Sequence, residues 1–340
     1  MTEEKVRKNS KSPKAGRAAK VIFGHENAIL GIVLAALVGG MGTLSNGLTL
    51  SRTNMVNVLY QSSMRGVGSI GQAFVILSAN IDISIGGIGL VSSIIGSSVM
   101  AEGWHNIIGN PLGVQLGIFI MLLVGIGWGA INGSSVARIG MPSLIVTLAM
   151  WEITKGVAFQ ISAGHSITQQ PEGLKFFGQG VVGGVPVPVC IFIGIAVTAY
   201  LVLNHTMFGR AVYAVGGNPA SSWLSGINVR AIKLVVFMIS GFMAGIAGVI
   251  FTSRVMSASM QSLEGLELDS IAAVCVGGVS LMGGKGNIIG VVLGVLIIGI
   301  INNGMSVMGA GPALQGIVKG VIIFIAVATD YLRRREELRY

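Results

Sequence analysis

The chain has 340 residues, of which 52% are hydrophobic and 10% are charged, and its mean hydropathy is +0.79. Soluble domains carry about 25% charged residues, so this composition excludes a soluble globular protein and predicts an all-α polytopic membrane protein. The 52 glycines are about twice the average usage. That abundance is typical of membrane helices that pack closely or break within the bilayer.

The net charge of +9 comes mainly from basic residues at the two ends of the chain. Residues 1–24 and 332–340 are therefore predicted to be basic tails on the cytosolic face, since cytosolic segments are enriched in Lys and Arg. Contact with anionic membrane lipids explains these charges, and no nucleic-acid partner is expected. Residues 1–20 have no apolar core and no small-residue cleavage site, so they do not form a signal peptide.

Two cytosolic termini require an even number of crossings, and about ten transmembrane helices are expected in a domain covering residues 25–331. Several of these spans are interrupted, short or polar. The expected positions are 27–47, 54–79, 82–101, 114–136, 142–162, 187–204, 232–252, 267–282, 287–305 and 313–331.

The stretch 205–231 is a polar loop between two apolar spans, and its flanking Arg210 and Arg230 place it in the cytosol. Residues 216–219 read Gly-Gly-Asn-Pro, which predicts a turn followed by a helix start. Asn218 is expected to be the N-cap and Pro219 the first helical residue. A short helix is expected to run to Leu224 and to end at Gly226.

A second irregular stretch interrupts the apolar pattern near Asn80 and Asp82, and Gly86-Gly87 follow at once. In a bilayer, broken backbone and ionisable groups occur only inside the protein or along a water-filled path. Asp82 can cap the third span by accepting from amides near Ser84, or it can face a substrate. The two roles are compatible.

A weak internal similarity suggests a possible inverted repeat. The stretch 129–133, Gly-Ala-Ile-Asn-Gly, is echoed by 299–304, Gly-Ile-Ile-Asn-Asn-Gly, and a proline follows each one. In the predicted topology the two stretches end on opposite faces of the membrane, as inverted repeats do, and Asp82 then corresponds to Asp269. Chance similarity in a glycine-rich chain is the alternative.

No catalytic or metal-binding constellation is predicted. The Gly-Gly-Lys-Gly sequence at 283–286 lacks the glycine spacing of a phosphate loop, and Gly286 stands where Ser or Thr would bind magnesium, so a tight turn is expected. Glu152 and Lys155 stand three residues apart, which predicts a structural ion pair; a proton-coupling pair is the alternative. Two buried thiols without a disulfide are expected at Cys190 and Cys275.

Three motifs carry a family resemblance. They are GR-x2-YA-x-GGN-x5-LSGINV beginning at Gly209, IDISIG at 81–86, and ELDSIAAVCVGGVSLMGGKG at 267–286. Over about residues 25–330 the chain resembles the permease subunits of ribose-type monosaccharide ABC importers, within the branched-chain amino acid and ribose permease superfamily.

This resemblance implies an assembly and a location. The permease works as a pair of membrane subunits, either two copies or two paralogues, with two ABC ATPase subunits and a periplasmic or extracellular sugar-binding protein. The location implied is the plasma (inner) membrane of a prokaryote. ATP and magnesium belong to the partner subunit, and this chain is expected to have no cofactor and no enzymatic activity of its own. The substrate implied is a pentose or hexose. Alternative readings are a permease for branched-chain amino acids or nucleosides, an ion-coupled secondary carrier and a channel.

The same resemblance assigns residues to coupling with the ATPase, because the short helix after Gly-Gly-Asn docks into that subunit. The coupling residues are Gly216, Gly217, Asn218, Pro219, Ala220, Ser221, Leu224 and Gly226. The translocation path for a neutral, polyhydroxylated solute is expected to be lined by small or mildly polar residues. The candidates are Asn80, Asp82, Ser84, Gly86, Asn302 and Asn303, for which hydrogen bonding between helices is the alternative role.

Overall fold

The computed structural model describes residues 25–103 and 106–337, so the predicted N-terminal tail lies outside the described residues. The described chain contains thirteen α-helices and one small hairpin. The helices are α1 (His25–Leu44), α2 (Arg52–Leu77), α3 (Ile85–Met100), α4 (Val114–Ser134), α5 (Ser143–Ser162), α6 (Lys175–Gln179), α7 (Val187–His205), α8 (Met207–Gly217), α9 (Pro219–Leu224), α10 (Val229–Val255), α11 (Leu266–Val276), α12 (Ile288–Val307) and α13 (Pro312–Glu337).

The described chain also contains the hairpin and several short turns. Strands β1 (Val181–Val182) and β2 (Val185–Pro186) pair antiparallel, with Val181 opposite Pro186. A π-helical turn at Ser135–Ile139 extends α4. Helix α13 continues through residue 337, so most of the predicted C-terminal tail is helical.

Seven of the described helices are long and apolar enough to cross a membrane, namely α1, α4, α5, α7, α10, α12 and α13. Helix α2 has 26 residues but carries many polar side chains, and α3 has 16 residues. The expected helix at 267–282 is much shorter, because α11 has 11 residues and ends at Val276. Eleven residues extend about 16 Å, roughly half of a hydrocarbon core. Gly278, at a φ of 80°, turns the chain there.

Three segments meet at one end of the bundle, which we call the docking end: the break at 78–84, the loop with α8 and α9, and the turn at 277–287. Gly284 N donates to the carbonyl of Leu77 at 3.0 Å. Asn27, at the start of α1, accepts a 3.4 Å hydrogen bond from Asn287, and Asp330, in α13, accepts one from Ser280 at 3.0 Å. The start of the first described helix, α1, and the C-terminal part of the last, α13, therefore both lie at the docking end.

The opposite end is formed by the segments 163–186 and 256–265. Ile167 and Ala258 exchange two backbone hydrogen bonds of 2.7 and 3.0 Å, which join these segments. Helix α3 runs from the break toward the opposite end. Helix α11 begins beside the first turn of α3, near Gly86, and runs toward the docking end. Asp82 and Asp269 therefore precede or begin helices that point in opposite directions, which is the arrangement that an inverted repeat produces.

Helices α4 and α10 pack through glycines that are spaced by four residues. A Cβ on Gly125 would collide with the carbonyl of Gly241, and one on Gly133 would lie 2.9 Å from the Cα of Leu234. Small residues at this spacing let helix backbones approach closely in a membrane. Beside this contact, the largest buried cluster joins α2, α7, α10, α11 and α12 through residues that include Ile70, Phe74, Phe192, Phe237, Val274 and Val291.

Helix α13 lies on the surface of the described chain, with none of its membrane-spanning window buried. It is held in place by Lys319, whose Nζ lies 2.8 Å from the buried carboxylate of Asp269, and Arg65 Nε contacts the same carboxylate at 2.9 Å. A buried carboxylate in a membrane protein needs such cationic partners. Asp269 and its two cationic partners therefore join α2, α11 and α13.

The glycine contact predicts different effects for two alanine substitutions on α4. A Cβ on Gly129 would lie 3.0 Å from the Cα of Met238 and even closer to the carbonyl of Phe237, whereas one on Gly127 would meet no atom within 4 Å. Gly129→Ala should lower the free energy of unfolding by about 1–3 kcal/mol through overpacking. Gly127→Ala is the control and should be neutral or stabilising, because alanine favours the helix. Thermal unfolding in detergent measures both, and equal melting temperatures would contradict the proposed packing.

Candidate functional site

The break between α2 and α3 leaves backbone groups that no helix satisfies, and side chains of neighbouring helices take their place. The amides of Ile81 and Ile83 donate to the hydroxyls of Ser143 (3.2 Å) and Thr147 (3.1 Å) on α5. The side-chain amide of Gln72, oriented to satisfy this network, donates to the carbonyl of Asp82 and accepts from its amide at 3.0 and 3.2 Å. The peptide groups of the break therefore have hydrogen-bond partners within the protein, which is necessary because lipid cannot supply them.

The Asp82 carboxylate is fully buried and bonded on both oxygens. One oxygen accepts from the amide and hydroxyl of Ser84, at 3.0 and 2.6 Å, and the other accepts from Ser240 of α10 at 2.7 Å. Ser84 also accepts a 2.7 Å hydrogen bond from Asn132 of α4. Together with Gln72, these bonds connect the break to α2, α4 and α10. The N-cap of α3 is Ser84, without a side-chain cap bond, so the prediction that Asp82 caps this helix is wrong. Asp82 instead lies two residues before the N-cap and stabilises the turn that precedes α3.

The structure separates the other residues predicted to line a path. Asn80 is buried and donates to the carbonyl of Ser78 at 2.8 Å. Asn303 exchanges two hydrogen bonds, of 2.8 and 3.0 Å, with Asn54 at the start of α2, far along that helix from Gln72. Asn302 is buried, and its side-chain amide has no hydrogen-bond partner among the described residues. Gly86 lines a small cavity between α3, α5 and the start of α11. The path candidates therefore do not form one cluster.

Three residues of the Asp82 network were missed by the sequence reasoning: Gln72, Asn132 and Ser240. Asn132 and Ser240 each precede a glycine of the contact between α4 and α10, namely Gly133 and Gly241. A polar residue beside a glycine at a helix contact is a usable signal, because the close approach lets short side chains bond across it.

The loop at the docking end forms the short helix predicted from its sequence. Helix α9 begins at Pro219, and the side chain of Asn218 accepts from the amide of Ser221 at 3.0 Å, which confirms the predicted N-cap. Gly226, at a φ of 83°, follows the helix end as expected. Trp223 and Leu224 are 69% and 78% exposed, so α9 presents an apolar tip.

The residues predicted for coupling differ in exposure. Gly216 is buried, and a Cβ there would meet the carbonyl of Leu77 and lie 2.7 Å from the amide of Gly284. The others in this set are exposed: Gly217, Asn218, Pro219, Ala220, Ser221, Leu224 and Gly226. One buried contact thus fixes the base of the loop, while the helix that follows projects outward.

Helix α8 contacts the turn at 283–286 as well as the end of α2. The hydroxyl of Tyr213 donates to the carbonyl of Gly286 at 2.9 Å, and burial raises the pKa of Tyr213, so the hydroxyl stays protonated and remains a donor. The turn itself follows the prediction, with Gly283 and Gly284 at φ values of 81° and 75°. The loop, this turn and the end of α2 form a continuous contact that leads to the break.

Two pairings proposed from the sequence differ in the structure. No ion pair joins Glu152 to Lys155 within the described ranges; instead the Lys155 Nζ lies 4.0 Å above the ring of Trp151. Lysine over an indole face gains a cation–π attraction, which competes with a surface carboxylate. Cys190 and Cys275 are free thiols, as expected, but Cys190 is exposed and Cys275 is only partly buried.

A bundle of apolar helices, a helix broken around a buried carboxylate, and an exposed helical loop in contact with that break define a polytopic membrane transport subunit. Comparison with known families agrees with this class. A family model described as "Branched-chain amino acid transport system / permease component" matches residues 54–327, and the chain belongs to this family.

Curated relatives cover most of the chain. It is 38% identical over 304 residues to a ribose import permease protein of Haemophilus influenzae, a match that covers 88% of this chain and 90% of the relative. It is 37% identical over 301 residues to a D-allose transport system permease protein of Escherichia coli, with coverages of 88% and 90%. It is 35% identical over 313 residues to a fructose import permease protein of Rhizobium meliloti, with coverages of 89% and 85%. No solved structure matches the chain.

The hydrogen bonds of Asp82 predict that Asp82→Ala destabilises the protein. The substitution leaves the buried donors of Ser84 and Ser240 without an acceptor, and each unsatisfied group costs about 1–3 kcal/mol. The control is Glu172→Ala, because the Glu172 side chain is exposed and pairs with Lys175 at the surface. Thermal unfolding and transport activity should both fall for Asp82→Ala. If the two variants kept equal stability and equal activity, the assigned role of Asp82 would be wrong.

Proposed function

We propose that this chain is the permease subunit of a binding-protein-dependent ABC importer that carries a monosaccharide. The observation that carries the proposal is the exposed helix α9, whose base contacts the broken helix of the bundle through Gly216 and the turn at 283–286. A transport subunit driven by a separate ATPase needs such a surface. The names of the relatives, which import ribose, allose and fructose, support a sugar as the substrate.

The proposed partner at the docking end is an ABC ATPase subunit that binds ATP and magnesium, so this chain needs no cofactor and hydrolyses no ATP. Trp223 and Leu224 supply an apolar anchor for a cleft, and the small residues Ala220 and Ser221 allow close approach. A buried aromatic or aliphatic anchor of this kind supplies much of the affinity of an interface. Gly216–Gly226 is the segment that we assign to coupling.

The orientation and the remaining partners follow from the same assignment. Basic residues of the docking end, including Arg210, Arg230 and Lys285, favour placing this end and both termini in the cytosol. The chain then lies in the plasma (inner) membrane of a prokaryote, and a sugar-binding protein delivers substrate at the opposite end, near 163–186. A second copy or a paralogue completes the path, which we expect to be lined by short polar side chains.

Transport by the assembled complex tests this function. The chain, its ATPase and its binding protein are reconstituted in vesicles, and uptake of ribose, allose, fructose and xylose is measured with and without ATP. ATP-dependent accumulation of at least one sugar is expected. The family description names branched-chain amino acids, so leucine is included as the second candidate. Uptake of leucine but of no sugar would overturn the proposal, and uptake without ATP would indicate a secondary carrier.

The apolar tip of α9 predicts that Leu224→Glu weakens ATPase binding. A charge at a desolvated anchor position should reduce affinity by at least about tenfold, and Ala220→Glu should act similarly by overpacking the contact. Val182→Glu is the control, since Val182 is an exposed valine at the opposite end. Co-purification of the ATPase from membranes with matched expression measures the effect. Full retention of the ATPase by both α9 variants would exclude α9 as the docking element.

A further inference from the structure

Near the middle of α5, charged side chains lie close to the indole ring of Trp151. At this depth lipid would surround a simple transmembrane helix. Lys155 lies about 18 Å along α5, which is about 30 Å long. Together with Trp151, Glu264 and Glu267 it lines a cavity of about 40 Å³. None of these four residues was predicted to line a path. Among the residues predicted from the sequence to line the path, Gly86 is the one that borders this cavity.

One carboxylate in this cavity has an unused acceptor. Glu267 is 8% exposed, and its Oε2 has no hydrogen-bond partner among the described residues. Gly86 leaves room for it, because a Cβ there would meet the same oxygen. A buried polar atom without a partner is costly to the fold. Its retention beside a cavity therefore points to a ligand that supplies the missing donor.

The cluster reaches the surface of the described chain with charged side chains, so this part of the surface cannot face lipid. Glu264 is exposed and Lys155 is partly exposed, and a charged side chain at the bilayer centre costs about 2.5–3.5 kcal/mol or more. Ile153, two residues from Lys155, is 46% exposed and apolar, as a lipid-facing residue should be. The side of α5 that carries Lys155 must therefore face water or a polar surface.

The chemistry of the cluster matches a neutral polyhydroxylated molecule. The Glu267 carboxylate accepts hydrogen bonds and the Lys155 ammonium donates them. The Trp151 ring offers an apolar face to the C–H surface of a sugar. The cavity has room for about one water molecule, far below the roughly 300–1,000 Å³ of small-molecule sites. In this conformation Lys155 covers the indole face, so the site is closed.

We propose that Trp151, Lys155 and Glu267 form a hydroxyl-binding constriction in the sugar path. The proposal rests on the proposed function and assigns to these residues the recognition of a monosaccharide in transit. When the constriction opens, the ammonium moves off the ring, the sugar takes its place on the indole, and Glu267 accepts a hydrogen bond from a sugar hydroxyl. Glu264, at the exposed rim of the cavity, keeps the approach hydrated.

Cysteine accessibility tests whether this face lines an aqueous path. In the complete complex, with Cys190 and Cys275 replaced by alanine, Lys155→Cys and Ile153→Cys are each exposed to a membrane-impermeant methanethiosulfonate. Lys155→Cys should react at least about tenfold faster, because thiols react as thiolates, which require water. Ribose during ATP turnover should slow this reaction. Equal rates at the two positions would overturn the proposal. Glu264→Cys serves as the second probe if Lys155→Cys does not assemble.

Sugar selectivity tests the hydrogen bond itself. Glu267→Gln is compared with Glu152→Gln, a control on α5 whose side chain is exposed and does not line the cavity. Uptake of ribose relative to 2-deoxyribose should change by about tenfold in Glu267→Gln, the size of a lost charged hydrogen bond, and should stay unchanged in the control. A merely structural role would lower both uptake rates together and leave the ratio as in wild type, which would overturn the assignment.

Different results would contradict the proposed function and the proposed constriction. If the unmodified complex takes up no monosaccharide at all, the proposed function is wrong. If the unmodified complex transports sugars while Glu267→Gln keeps the wild-type selectivity ratio, the constriction alone is wrong. If Glu267→Gln does not assemble, the accessibility of Lys155→Cys decides the proposal.

Discussion

A helix that breaks inside a bilayer exposes peptide groups that lipid cannot satisfy, and this protein meets that constraint around Asp82. The adjoining backbone bonds to Gln72 of α2. The carboxylate accepts from Ser240 of α10 and from Ser84, whose hydroxyl accepts in turn from Asn132 of α4. These side chains are short, so they reach the break only if the helices approach closely. The glycines of α4 and α10 permit that approach. Glycine packing and the polar network therefore depend on one another.

The same break connects the interior of the bundle to its docking end. Gly216 of α8 packs against the last carbonyl of α2, and the turn at 283–286 bonds to both segments. These are backbone contacts and one hydrogen bond from the partly buried hydroxyl of Tyr213, with no long flexible side chain between them. Displacement of α9 would therefore be transmitted to the end of α2 and so to Asp82. This continuity is the physical basis for the proposed coupling between ATP hydrolysis and transport.

Local chemistry made parts of this arrangement predictable from sequence. The cap at Asn218, the turn at Gly226 and the break near Asp82 each depend on a few adjacent residues whose preferences are strong. The length of α11 was not predictable, because Gly277 and Gly278 interrupt an apolar run in a chain where glycines also occur within spans. The sequence could not tell a helix-packing glycine from a helix-ending one.

Contacts between distant segments were also beyond sequence reasoning. The pairing of Asn303 with Asn54, and the position of Glu267 beside Lys155, require knowledge of which helix faces meet. Hydrophobic periodicity did not indicate which helix faces meet, because a transmembrane helix that is apolar on all sides has no distinct apolar face. Lys155 illustrates the consequence: its neighbour in sequence, Glu152, suggested an ion pair, but the fold places the ammonium over Trp151.

The central claim, that the docking loop and the broken helix move together, is tested most directly by the number of sugar molecules transported per ATP hydrolysed. Tyr213→Phe removes the hydroxyl that bonds to Gly286. Tyr200→Phe, on α7, is the control, since the Tyr200 ring contacts His205 and phenylalanine keeps that ring. The Tyr213 variant should still bind the ATPase and hydrolyse ATP but should transport fewer sugars per ATP than wild type and the control. An unchanged ratio, with intact assembly, would contradict the claim.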